Sequence, residues 1–75
     1  MTDQVRAILA RVFALDAERI GPDFSQDLHE PWDSLAQLRI VVELEGAFGC
    51  QFEPREIGQL TDLGAIVALL ERKRA

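Results

Sequence analysis

The chain has 75 residues, 13 of them acidic against 8 basic, for a formal charge of −5. That length sets one small domain, 1–75, with a thin core, and the acidic balance counts against nucleic acid as a partner while favouring basic protein surfaces. With one cysteine and one histidine, neither an internal disulfide nor a zinc site of the usual ligand count can form, so helix packing must hold the fold.

No apolar run reaches the roughly 20 residues that span a bilayer. The opening Met1-Thr2-Asp3-Gln4 lacks the basic and apolar regions of a secretory signal. A cytoplasmic monomer with no membrane partner is expected.

Val5, Ile8, Leu9, Val12 and Phe13 recur at the spacing of one helical face, which predicts a first helix over Thr2–Leu15. Thr2 or Asp3 is the expected N-cap, and the Asp3 carboxylate suits the positive end of the helix dipole. Residues 16–32 show no sustained period. Gly21-Pro22 and Pro31 punctuate them, while Ile20, Phe24 and Leu28 recur every four residues. A loop this long is either functional or pinned to the core. The recurring apolar residues predict pinning, with a helical turn near Gln26 to His29.

The second helix is expected from Ser34 to Phe48. Leu35, Leu38, Ile40, Val41, Val42, Leu44 and Phe48 cover more than half of its circumference, leaving Ala36, Arg39, Glu43 and Gly46 for solvent. An arc that wide predicts a central helix with neighbours on two sides. Gly49 is placed to end it. Pro54 suits the first position of a short third helix, which Gly58 closes. Thr61 is the expected N-cap of the last helix, with Leu63, Ile66, Val67 and Leu70 as its apolar stripe and Arg72-Lys73-Arg74 at its negative end. No strand pattern occurs. The predicted fold is all-α: a four-helix bundle of three main helices and one short one, with a long loop between the first and second.

Few residues offer chemistry. His29 stands five residues before Ser34, but no Gly-x-Ser-x-Gly elbow surrounds the serine, and so short a chain has little room for a pocket. Cys50 lies between Phe48 and Phe52, where cysteine acts as a small hydrophobe, with no adjacent base to activate it. The pairs Glu43/Glu45 and Glu53/Glu56 read as a solvated face. No catalytic residue and no metal site is expected, and the chain is read as not an enzyme. Ser34 remains. It begins either a capping box with Gln37 or, if Asp33 is the N-cap, the first helical turn itself. In either case an anion on its hydroxyl would sit at the positive end of the helix. The Asp33 charge would oppose it, so an enzyme adding phosphate there must bring a metal or basic groups.

Asp33-Ser34-Leu35, followed by an apolar helix closing on Leu44-Glu45-x-x-Phe48-Gly49, resembles the acyl carrier protein family in its stand-alone form, over nearly the whole chain. The resemblance implies that Ser34 receives 4′-phosphopantetheine from coenzyme A through a phosphopantetheinyl transferase using magnesium. The arm's thiol then holds an acyl or aminoacyl group as a thioester for a loading ligase and downstream synthases or transferases. Asp33 maps onto the aspartate before the attachment serine. Leu35 and Val42 map onto apolar positions at the partner-facing edge of the second helix, and Ala36, Arg39 and Glu43 complete the expected partner surface. Pro31-Trp32 stands where the family commonly has glycine two residues before the aspartate. Ala36 and Arg39 stand where fatty-acid carriers have acids. These departures point to a specialised biosynthetic pathway rather than housekeeping fatty-acid synthesis. The competing reading is an unmodified helical interaction module, a degenerate carrier that docks through its second helix.

Overall fold

The computed structural model describes residues 1–74. Four helices form where periodicity places them: α1 (Thr2–Phe13), α2 (Ser34–Phe48), α3 (Pro54–Ile57) and α4 (Leu63–Arg74), with a 3-10 turn at Ala17–Arg19. The only strand-like feature among the described residues is one isolated antiparallel bridge between Ser25 and Asp62.

The expected ends of α1 need correcting. Its N-cap is Met1, with no side-chain cap, so Thr2 and Asp3 already lie inside the helix. Asp3 instead pairs with Arg6 one turn on, at 2.8 Å. The helix stops at Phe13 rather than Leu15, because Ala14 turns into the left-handed region at φ 55° and its amide and that of Leu15 fold back onto the last carbonyls. At the far end of the chain the cap is Asp62, not Thr61: its carboxylate accepts from Ala65 N–H at 2.6 Å. Gly49 closes α2 in the left-handed conformation, its amide donating to Glu45 O. Pro54 opens α3, and Gly58 follows it in a right-handed conformation.

The core is a single cluster: Val5, Ile8, Leu9 and Val12 from α1, Ile40, Val41 and Leu44 from α2, and Leu63, Ile66, Leu69 and Leu70 from α4. The hub is α1, which packs against both α2 and α4. The second helix is therefore less enclosed than its composition suggests. It buries Ala36, Ile40, Val41 and Leu44, while Leu35, Leu38 and Val42 remain 68%, 57% and 67% exposed. Ala36, expected on the solvent stripe, is buried because it lies one and two turns before Ile40 and Leu44 on the face that packs against α1.

The long loop is pinned, though not through the three residues its period suggests. Ile20 is buried, Phe24 half-buried, and Leu28 stands in solvent. The third anchor is Trp32, 3% exposed, whose ring lies 5.5 Å from Phe13 and 5.8 Å from Phe24. Backbone bonds from Gln26 N to Thr61 O at 2.8 Å and from Leu63 N to Phe24 O at 3.2 Å stitch the loop to the start of α4. A turn does form over Ser25 to His29.

The acidic pairs are structural rather than merely solvated. Glu43 meets Arg11 of α1 at 3.3 Å, and Glu45 accepts from Phe52 N–H at 2.9 Å. Glu53 and Glu56 form a reciprocal capping box on α3, and Lys73 of α4 reaches Glu56 at 2.8 Å. The hydrogen bond from the Glu53 amide, then that from Lys73, hold the Glu56 carboxyl below the ordinary glutamate value.

Candidate functional site

The start of α2 is built by its neighbours on both sides. Trp32, buried against Phe13 and Phe24, fixes where the loop ends, and its amide donates to His29 O at 3.0 Å. His29 packs edge-on against Phe13 at 4.7 Å, so the lone histidine serves as packing in the loop. Asp33 then turns into α2 with extended backbone, and its carboxylate accepts from Ala36 N–H at 2.9 Å. Of the two caps open to the sequence, this is the one that forms.

That choice determines what Ser34 does. It is the first residue of α2 and is exposed. Asp33 takes the amide of Ala36 through its carboxylate and that of Gln37 through its carbonyl, at 2.9 Å each. The amides of Ser34 and Leu35 precede any intrahelical acceptor, and they lie at the positive end of a 15-residue helix. The Ser34 hydroxyl thus combines access with a local field that favours a phosphoester.

Gln37 does not cap the helix. Its side chain accepts from Trp32 Nε1–H at 2.6 Å and donates to Ile57 O at 2.7 Å and Leu60 O at 3.0 Å. Two open grooves flank the serine's turn. One, of about 340 Å³, runs between α2 and α3 and includes Ser34 itself. The other, of about 270 Å³, lies toward α1 and includes Asp33, Leu35 and Arg39. Leu35, Leu38 and Val42 fall within about 60° of one another at about 100° per residue, so they form one exposed apolar row beyond the serine. Arg39 is exposed beside them. Leu35 and Val42 are expected at this partner-facing edge from the resemblance; Leu38, expected only in the apolar arc of the helix, joins them.

A larger groove of about 410 Å³ opens at the other end of α2, around Phe48, Cys50 and Lys73. Burial pushes the Cys50 thiol up from its ordinary value, with Lys73 opposing only in part. A thiol raised in this way is mostly protonated near neutrality, which makes it a poor nucleophile.

A small helical bundle presenting an exposed hydroxyl at the start of its longest helix has the form of a carrier. The chain belongs to the phosphopantetheine attachment site family, matching it over residues 3–70. Membership makes it a carrier of the acyl carrier protein type. Its prosthetic group is covalently bound 4′-phosphopantetheine, and it works with a phosphopantetheinyl transferase and with partner enzymes. No curated protein matches the chain. No helix among the described residues is long and apolar enough to cross a membrane.

Proposed function

We propose that Ser34 is the attachment residue and that the chain carries an acyl or aminoacyl group for a specialised biosynthetic pathway in the cytoplasm. The observation that carries this reading is the geometry of the first turn of α2. Ser34 is the only exposed serine among the described residues, and the cap formed by Asp33 leaves its hydroxyl free. Ser25, the other serine, is half-buried and forms the bridge to Asp62.

In the transfer, Ser34 Oγ displaces the nucleotide from the phosphate it shares with pantetheine in coenzyme A. A phosphorus–oxygen bond forms at the serine, the pyrophosphate bond breaks, and the hydroxyl proton leaves to a base of the transferase. The bound group supplies a mobile thiol for the cargo. This chain's part is to hold Oγ at the surface and to stabilise the new charge through the amides of Ser34 and Leu35. Asp33 orients the turn, and its charge makes the transferase bring cationic groups or magnesium.

Partner enzymes, a loading ligase and a downstream synthase or transferase, dock on the exposed row of Leu35, Leu38 and Val42 with Arg39 beside it. Ala36 offers a partner little area because it is buried. Glu43 is half-buried and already paired with Arg11, so it stands at the margin of this face. Arg39 calls for an acidic counterpart, which a basic docking patch of a fatty-acid enzyme lacks.

Incubation with coenzyme A, magnesium and a broad-specificity transferase, followed by intact-mass measurement, tests the assignment. The wild-type chain should gain one phosphopantetheine and Ser34→Ala none. A wild-type mass that does not change would sink it. The exposed row also suits an unmodified docking module, for which partner binding would survive Ser34→Ala without any mass gain.

A further inference from the structure

The side-chain amide of Gln37 spends all its hydrogen-bonding groups on three different parts of the chain. An indole N–H can only donate and a backbone carbonyl can only accept. One orientation of the amide therefore satisfies Trp32, Ile57 and Leu60 together. The bonds tie α2 to the end of the long loop, to the last residue of α3 and to the link from α3 to α4. They lie one turn beyond Ser34, in the wall of the groove that Ser34, Gln26, Leu38, Ile57 and Gly58 also line. Immediately behind them, Trp32 and Leu60 are 3% and 0% exposed.

An apolar tail on an arm tethered at Ser34 could lie outside the bundle or pass between α2 and α3 toward the core. The inward route runs through Gln37. Opening it breaks three hydrogen bonds and leaves two carbonyls and an indole N–H facing an alkyl chain that can replace none of them.

We infer that Gln37 latches the seam between α2 and α3, so that cargo tethered at Ser34 stays outside the bundle and the chain serves short or polar acyl units. The inference rests on the assignment of Ser34 above. A long alkyl tail held in water bears the hydrophobic penalty on every methylene, which a short or polar unit avoids.

The test loads the full chain with acetyl- or octanoyl-phosphopantetheine from the matching coenzyme A thioesters and verifies loading by intact mass. Cleavage of each thioester by neutral hydroxylamine is then timed against the free coenzyme A thioester. Only the exposed fraction reacts, so a tail hidden nine times in ten slows cleavage about tenfold. Acetyl and octanoyl forms of the wild type should agree within about twofold. Gln37→Ala, and Gln37→Glu, which keeps the acceptor for Trp32 but turns a carboxylate toward two carbonyls, should slow the octanoyl form alone. Val5→Ala, which loosens the core without touching these bonds, should leave the two forms alike. A protected octanoyl group in the wild type overturns the inference while leaving the attachment site intact. Equal rates in every variant remove Gln37 as the seal. Failure to load the wild type overturns the attachment assignment, and this inference with it.

Discussion

Trp32→Phe separates the two candidates for the third anchor of the long loop, Trp32 and Leu28. The change keeps one aromatic ring against Phe13 and Phe24 but removes the N–H that Gln37 accepts at 2.6 Å. Truncating a buried tryptophan to alanine costs about 3–5 kcal/mol; keeping a phenyl ring should hold the packing loss to about 1–2 kcal/mol. The orphaned Gln37 oxygen adds about 1 kcal/mol, the low end for a lost partner, because Gln37 is half-buried and water can reach it. The sum, about 2–3 kcal/mol, is a large share of the roughly 4–11 kcal/mol that 75 residues can be expected to hold.

Urea unfolding followed by far-ultraviolet circular dichroism measures the loss. With a slope of about 1 kcal/mol per molar for so small a chain, the midpoint should fall by about 2–3 M. Leu28→Ala is the control, because Leu28 is 73% exposed and such a change should cost no more than about 0.5 kcal/mol. Equal midpoint shifts for the two variants would refute Trp32 as the anchor.

Glu56 sets a pH dependence whose sign follows from its lowered pKa. Its contribution to stability is present above the ordinary glutamate value and is lost as pH falls through the lower folded value, so Glu56→Gln should flatten the acid limb of a plot of Tm against pH; an unaltered limb would contradict the capping-box account. Arg39→Glu should slow association with the chain's own partner enzymes by about tenfold at low salt and improve turnover by fatty-acid synthesis enzymes. Unchanged turnover by both enzyme sets would remove Arg39 from the docking face.

The helices were legible because their apolar spacing and their punctuation agree: α1 and α4 each carry one clear stripe, and Gly49 and Pro54 fall where a helix stops and starts. Neither face of α2 could be assigned to the interior by pattern alone. Ala36, Ile40 and Leu44 line one side and Leu35, Leu38 and Val42 the other, so two apolar faces nearly cancel in the periodicity, and packing against α1 decides between them. In the loop, the four-residue recurrence of Ile20, Phe24 and Leu28 is a helical rule applied to a chain that is not helical there. The aromatic side chain nearest the start of α2 becomes the anchor instead. Glu43, Glu45 and Glu56 looked merely solvated because their partners are Arg11, the Phe52 amide and Lys73, each brought close only by the fold.

The site itself turned on a shift of one residue. Ser34-x-x-Gln37 reads locally as a capping box, and in that arrangement the serine oxygen would accept from the Gln37 amide while the glutamine side chain reached back to the serine. Asp33 caps the helix instead, and this releases both side chains at once. The Ser34 hydroxyl is left in solvent, where a transferase can reach it. The Gln37 amide is left to bind the carbonyls of Ile57 and Leu60, 20 and 23 residues away. The serine was readable in advance because the chemistry it needs is local: a helix start and an exposed position. Gln37 was not, because its partners are distant in sequence and the local motif offered it a plausible alternative. One aspartate in the capping position thus frees the hydroxyl and supplies the latch beside it.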